Sequence, residues 1–172
     1  ASREEFSLIL ARCDYLSLCQ QMTQQVIERC PGEIRKLVLK PSAKTLYTTI
    51  REELGNQQPV ALMVLGLESV RDLDQMLAAT NQVREEFRKK FRFPLVLWVN
   101  FEVLKKLIRL APDFESWATT TEFSLPTDVL LDALRQRADY LFTKMLDLGD
   151  EQFLPNQVIF GSGYPLALQA AL

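Results

Sequence analysis

The 172-residue sequence predicts an α/β fold, a three-layer α/β/α sandwich around a mostly parallel sheet of about five strands. Short apolar segments of strand length alternate with longer segments in which apolar residues recur every three or four positions. Strands that are separated by helices pair in parallel, because each helix carries the chain back to the end of the sheet where it started.

The first three predicted strands differ in their expected burial. Residues 6–12 and 60–66 are mostly apolar, which is typical of strands covered on both faces. Residues 34–39 alternate apolar and basic side chains, which indicates an edge strand with one partly wet face. A helix that Asp14 is expected to cap follows the first strand, and a helix opening at Ser42 follows the second.

The second half of the chain continues the alternation. A long amphipathic helix is predicted over residues 70–90, a strand over 93–99, a short helix over 101–110 and a threonine-rich strand over 119–124. A last helix is predicted over 130–146, and the pattern weakens after Gly149. We therefore expect one α/β domain over residues 1–149, with 150–172 as a carboxyl-terminal extension or the start of a following segment.

Composition excludes several classes of function. Histidine is absent, so no Ser-His or Cys-His hydrolase site can form. The formal net charge of −2 gives no positive field for nucleic acid. No apolar stretch approaches the roughly 20 residues of a membrane span, and no secretory signal is visible, so a cytoplasmic location is expected. The three cysteines have no metal-site spacing and are expected to be buried or free thiols, with no metal bound.

The turn after the first strand lacks a phosphate loop. In nucleotide-hydrolysing sheets of this layout that turn is glycine-rich and ends in Lys-Ser or Lys-Thr, so that backbone N–H groups and an ammonium cradle the phosphates. Here the turn contains Cys13, Asp14 and Tyr15, and the first glycine and lysine of the chain are Gly32 and Lys36. The sequence therefore predicts a P-loop-NTPase-like topology without a Walker A loop, and a role in recognition or regulation with no catalytic residue.

Three polar residues are candidates for ligand binding. Asp14, Glu68 and Asn100 follow the first, third and fourth predicted strands, and ligands of such sheets bind beyond the carboxyl ends of the strands. In a nucleotidase the acidic residue after the third strand organises magnesium and water, and the polar residue after the fourth senses the terminal phosphate. We nevertheless favour helix capping by Glu68 or Asn100 over ligand binding. The chain does not match a phospho-receiver domain, because aspartate does not follow the third strand and lysine does not follow the fifth.

Aromatic residues cluster around the fourth strand, namely Trp98, Phe101, Phe114 and Trp117. They could form a platform for a ligand, but core packing is the simpler explanation, because aromatic side chains dominate the cores of domains.

The segments Phe93-Pro-Leu-Val-Leu-Trp-Val-Asn100 and Val103 to Trp117, which contains Ala-Pro-Asp-Phe-Glu-Ser-Trp, resemble one family. They are similar to the NTPase-like domain near the amino termini of large, mostly cyanobacterial multidomain proteins, ahead of tetratricopeptide or WD40 repeats. Cys13-Asp14 matches a Cys-Asp pair of that family. The resemblance implies a relative of the signal-transducing ATPases with numerous domains, without a usable phosphate loop, that serves as a platform for regulated assembly. It supplies no catalytic residue.

These observations lead to three functional hypotheses. The first is a non-catalytic NTPase-like signalling or scaffold domain, without cofactor, that contacts a protein partner, adjacent repeat domains or a second copy of itself. The second is a nucleotide-binding sensor or slow NTPase that holds ATP or ADP with Mg²⁺ through Asp14, Glu68 and Asn100, with a basic group from Arg12, Lys40 or a neighbouring subunit. The third is a small-molecule sensor with Trp98 or Trp117 near its cleft.

Overall fold

The computed structural model describes residues 5–124 and, beyond them, residues 128, 131, 132, 135, 136, 138–140 and 143, which are helical. The predicted domain boundary at residue 149 and the extension over 150–172 lie outside the described residues, as does most of the helix predicted over 130–146.

Five strands form one sheet in which every pairing is parallel, as the alternation of elements predicts. The strands are β1 (Ser7–Cys13), β2 (Ile34–Val38), β3 (Ala61–Leu65), β4 (Pro94–Val99) and β5 (Ala118–Phe123). Their order across the sheet is β2-β3-β4-β1-β5, so β4 lies between β3 and β1. In this register Leu10 of β1 is level with Leu97 of β4 and Thr120 of β5.

Six α-helices are described with complete bounds. They are α1 (Leu16–Arg29), α2 (Leu46–Leu54), α3 (Leu73–Gln82), α4 (Arg84–Lys90), α5 (Phe101–Leu110) and α6 (Pro112–Glu115), and a 3₁₀ turn spans Leu67–Ser69. Helix α1 packs on one face of the sheet, where the strands contribute the small cluster of Ala11, Cys13, Met63 and Trp98. Helices α2–α6 pack on the other face, over the larger apolar cluster. The predicted three-layer α/β/α sandwich is confirmed.

Two helix predictions were wrong in their bounds. Helix α2 begins at Leu46 rather than at Ser42, because the chain first makes a turn in which Ala43 N–H donates to Lys40 O and Arg71 N–H donates to Pro41 O. The helix predicted over 70–90 is two helices that break at Val83, whose backbone has ψ 16°. Beside the break, the Arg84 guanidinium donates to Asn81 O at 2.8 Å, which gives that carbonyl a partner outside the helical ladder.

Candidate functional site

A cleft of about 430 Å³ lies at the carboxyl-terminal edge of the sheet, between α1 and the ends of the strands. Its walls come from the ends of β1, β3 and β4, from the first turns of α1 and from the edge strand β2. Asp14, Glu68 and Asn100 all line it, so the structure brings the three sequence candidates to one place. This is the position at which parallel α/β sheets bind ligands.

Asp14 is bound to α5 and not to the helix that follows it. Its Oδ1 accepts a hydrogen bond from Phe101 N–H at 2.6 Å, and its Oδ2 lies 3.1 Å from the Arg12 guanidinium. The expected capping of α1 by Asp14 was wrong: the N-cap residue is Tyr15, and no side-chain cap bond is made there. The cause is the short connection, since only Asp14 and Tyr15 separate β1 from α1 and the carboxylate reaches the neighbouring helix instead.

Asn100 caps α5. Its Oδ1 accepts a hydrogen bond from Val103 N–H at 2.8 Å, the arrangement of a standard N-cap. With Asp14 on Phe101, two side chains therefore satisfy free N–H groups at the start of this helix. A phosphate could not use the same donors without displacing them.

Arg12 is held by acidic groups and is not a free cation. It lies 3.1 Å from Asp14 Oδ2 and 3.2 Å from Glu122 Oε2, and its guanidinium is 5.0 Å from the centre of the Phe101 ring. The sequence suggested Arg12 and Lys40 as phosphate-binding cations, but neither of them lines the cleft. Lys36 does line it. Lys36 was missed because a lysine inside an edge strand looks like an ordinary solvated residue.

Lys36 and Glu68 are the charged residues of the cleft that keep their charges available. Both side chains are exposed, and among the described residues neither has an ion-pair or hydrogen-bond partner. Glu68 lies in the 3₁₀ turn, whose N-cap residue Gly66 has φ 84°, and Glu68 does not cap it. The predicted capping role is therefore found for Asn100 and not for Glu68.

Cys13 and Cys19 also line the cleft. A hydrogen bond from the Cys19 thiol lowers the pKa of Cys13 from 9.0 to about 7, and a backbone hydrogen bond with Tyr15 acts in the same direction. Burial and the charge of Asp14 oppose this shift. The same thiol–thiol hydrogen bond, together with burial, raises the pKa of Cys19. All three cysteines are free thiols, as expected.

The remaining lining of the cleft is largely apolar. Leu16 and Val38 stand at its rim with 50% and 57% of their surfaces exposed, while Leu39 and Trp98 are buried in its wall. Trp98 stacks on Phe123 with ring centres 5.4 Å apart. An apolar side chain inserted here would cover surface that water now contacts.

The four aromatic residues near β4 do not form one platform. Trp98 belongs to the α1 side of the sheet, whereas Phe114 and Trp117 pack into the larger cluster on the other side. Phe101 is 43% exposed and carries the cations Arg12 and Lys105 over its ring. Core packing is thus the role of Trp98, Phe114 and Trp117.

Within residues 5–124 and the few described beyond them, no cluster of three acidic or cysteine side chains is arranged to hold a metal ion. In the same part of the chain, no helix has the length and apolar character to cross a bilayer. Comparison with protein-family models, with curated proteins and with solved structures finds no match to this chain.

Proposed function

We propose that this chain is a non-catalytic, NTPase-like recognition domain that binds a protein partner within a larger signalling or scaffold assembly. The proposal is supported chiefly by the shortness of the β1–α1 connection, which has no phosphate loop. Where a phosphate loop would place a ring of N–H donors, the connection has two residues, and the carboxylate of Asp14 occupies the start of α5. Negative charge at this point repels a nucleotide phosphate.

The walls of the cleft support the choice of ligand. A volume of about 430 Å³ falls in the range of roughly 300–1,000 Å³ found for ligand sites. The exposed residues Leu16 and Val38 line the same cleft as the buried Trp98, which suits the apolar side chain of a partner protein. The resemblance of residues 93–117 to domains fused to repeat arrays is consistent with this kind of contact.

The second candidate is a nucleotide sensor that holds ATP or ADP with Mg²⁺. It is favoured by one observation, namely that Lys36 and Glu68 both line the cleft without partners among the described residues. In that case Lys36 would meet phosphate and Glu68 the metal ion. Asp14 and Asn100 would contribute only after giving up their bonds to α5.

Photo-crosslinking tests the protein-binding proposal with a matched control. A benzoylphenylalanine replaces Leu16 at the rim of the cleft, or Ile108 on α5, which is 51% exposed and lies outside the cleft. Both proteins are irradiated in an extract of the source cells. We expect a discrete crosslinked protein from position 16 only, and the purified partner should bind the wild type and Ile108→Asp but not Leu16→Asp. Equal crosslinking at both positions would contradict the proposal.

Calorimetric titration with ATP and ADP, with and without Mg²⁺ and at several temperatures, distinguishes the two candidates. The recognition proposal predicts no binding at millimolar nucleotide. Micromolar binding that Lys36→Ala abolishes would establish the nucleotide sensor in its place.

A further inference from the structure

Two thiols meet in the wall of the cleft. Cys13 is the last residue of β1 and Cys19 is the fourth residue of α1, and only Asp14 and Tyr15 lie between the two elements. Both cysteines line the cleft, both belong to the apolar cluster on the α1 face, and their thiols are close enough for each to shift the pKa of the other. Cys30, the C-cap residue of α1, lies outside the cleft.

The surroundings give the two thiols different roles. Cys13 lies three residues before Leu16, the first residue of α1, and a backbone hydrogen bond with Tyr15 lowers its pKa, whereas as a thiol it donates to Tyr15 O at 3.4 Å. A hydrogen bond from the Cys19 thiol lowers the pKa of Cys13. The same hydrogen bond raises the pKa of Cys19, and the charge of Glu68 raises it too, so Cys19 keeps its proton. The open cleft gives a water-sized oxidant access to the pair. A nucleophilic sulfur beside a second, protonated thiol is the arrangement of an oxidisable dithiol.

We propose that Cys13 and Cys19 form a redox-active pair that a small hydroperoxide converts into an intramolecular disulfide. The Cys13 thiolate attacks one peroxide oxygen, the O–O bond breaks, and the departing hydroxide takes up the proton that Cys13 released, forming water. The Cys19 sulfur then attacks the sulfenic sulfur of Cys13, the S–O bond breaks, and the Cys19 proton leaves with that hydroxide as a second water. Two thiols lose two electrons, and one hydrogen peroxide becomes two waters.

The disulfide would tie the end of β1 to the first turn of α1 within the wall that binds a ligand. Cys13 packs in the same cluster as Trp98, and the rim residue Leu16 lies between the two cysteines in sequence. Oxidation would therefore fix the position of Leu16 and change the shape of the cleft reversibly.

Trypsin separates the pair from the third thiol, which makes the test direct. Cleavage after Arg12 and Arg29 yields a peptide of residues 13–29 that contains Cys13 and Cys19, while Cys30 falls in the next peptide. The full chain is treated with a small excess of hydrogen peroxide, quenched, alkylated with N-ethylmaleimide and digested. We expect peptide 13–29 to lose two hydrogens and to carry no alkyl group, with Cys30 still alkylated, and dithiothreitol to restore both sites.

The rate of the first step tests the role of the folded environment. A pKa of about 7 in place of 9.0 gives Cys13 roughly fifty times more thiolate at pH 7, while its lower basicity reduces its nucleophilicity about six- to tenfold. Oxidation of Cys13 should therefore be about five- to eightfold faster in the native chain than in the urea-unfolded chain. Equal rates would overturn the proposal.

Three variants complete the experiment. Cys19→Ser should leave a sulfenic acid on Cys13 that dimedone captures, Cys13→Ser should abolish the mass loss in peptide 13–29, and the control Cys30→Ser should behave as the wild type. The wild-type digest decides the question even if a variant folds poorly. Disulfides between chains, oxidation of Cys30 before the pair, or two alkylated thiols in peptide 13–29 after peroxide treatment would each overturn the proposal.

Discussion

Replacing Asp14 by alanine removes the link between the end of β1 and the start of α5. Two interactions are lost, the 2.6 Å hydrogen bond from Phe101 N–H and the 3.1 Å contact with Arg12. A hydrogen bond to a charged group contributes about 1.5–3 kcal/mol. The ion pair adds at most about 1 kcal/mol, because both side chains are 25% exposed and water screens them.

We expect Asp14→Ala to lower the free energy of unfolding by about 2–3 kcal/mol, and the melting temperature by about 4–12 °C for a chain of this length. Asp14→Asn keeps an acceptor for Phe101 and should lose only about 1 kcal/mol, since mainly the charge is removed. Urea unfolding measures both changes, and an unchanged m-value shows that the two variants are compared with the same unfolded state.

The control is Glu68→Ala, which removes an exposed carboxylate of the same cleft that has no partner among the described residues. Its effect should stay within about 0.5 kcal/mol. If Asp14→Ala were as mild as Glu68→Ala, the carboxylate of Asp14 would not be committed to α5. It would then be free for a metal ion, and the reasoning that disfavours a nucleotide would fail.

Three further changes test other parts of the structure. Gly66→Ala should lower the free energy of unfolding by about 2–3 kcal/mol in urea, because φ 84° is strained for alanine and its Cβ would lie 3.0 Å from Leu39 O; a neutral effect would contradict this backbone. Phe87→Ala should cost about 3–5 kcal/mol in the same assay, because the ring is fully buried among four other aromatic rings; a loss below 1 kcal/mol would show that it is not a core residue. The iodoacetamide reaction of Cys13, followed by mass spectrometry, should rise with pH to a plateau with a midpoint at about pH 7, because the thiolate is the nucleophile. Cys19→Ala, which removes the donor, should move that midpoint upward if the thiol–thiol hydrogen bond is its cause, and an unmoved midpoint would exclude that cause.

The sheet could be predicted from the sequence because its signal is local. Residues 60–66 are continuously apolar and form an interior strand, and the alternation over 34–39 marks the edge strand whose Val38 is 57% exposed. The start of α2 was predicted less accurately because it depends on a distant partner: in the turn before this helix, Arg71 N–H donates to Pro41 O. The start of α5 was predicted correctly, but the bond from Phe101 N–H was not, because its acceptor is Asp14, 87 residues earlier.

The candidate site was predicted in position but not in chemistry. The rule that ligands bind beyond the carboxyl ends of parallel strands located Asp14, Glu68 and Asn100 in one cleft. Which of them remain available depends on hydrogen bonds that only the folded chain makes. Lys36 and the paired thiols escaped prediction, because their proximity follows from the sheet order and from the first turn of α1 and not from a motif.

The short β1–α1 connection accounts for both proposals. A phosphate loop needs several residues of extended backbone between strand and helix, and it would carry the first turn of α1 away from the end of β1. With two residues in its place, Cys19 in that first turn comes to the side chain that ends β1, and Asp14 can reach α5. The feature that disfavours nucleotide is therefore the one that brings the two thiols together. Lengthening the connection by four glycines should abolish disulfide formation in the oxidised protein, and a disulfide that still formed would show that the short connection is not what pairs them.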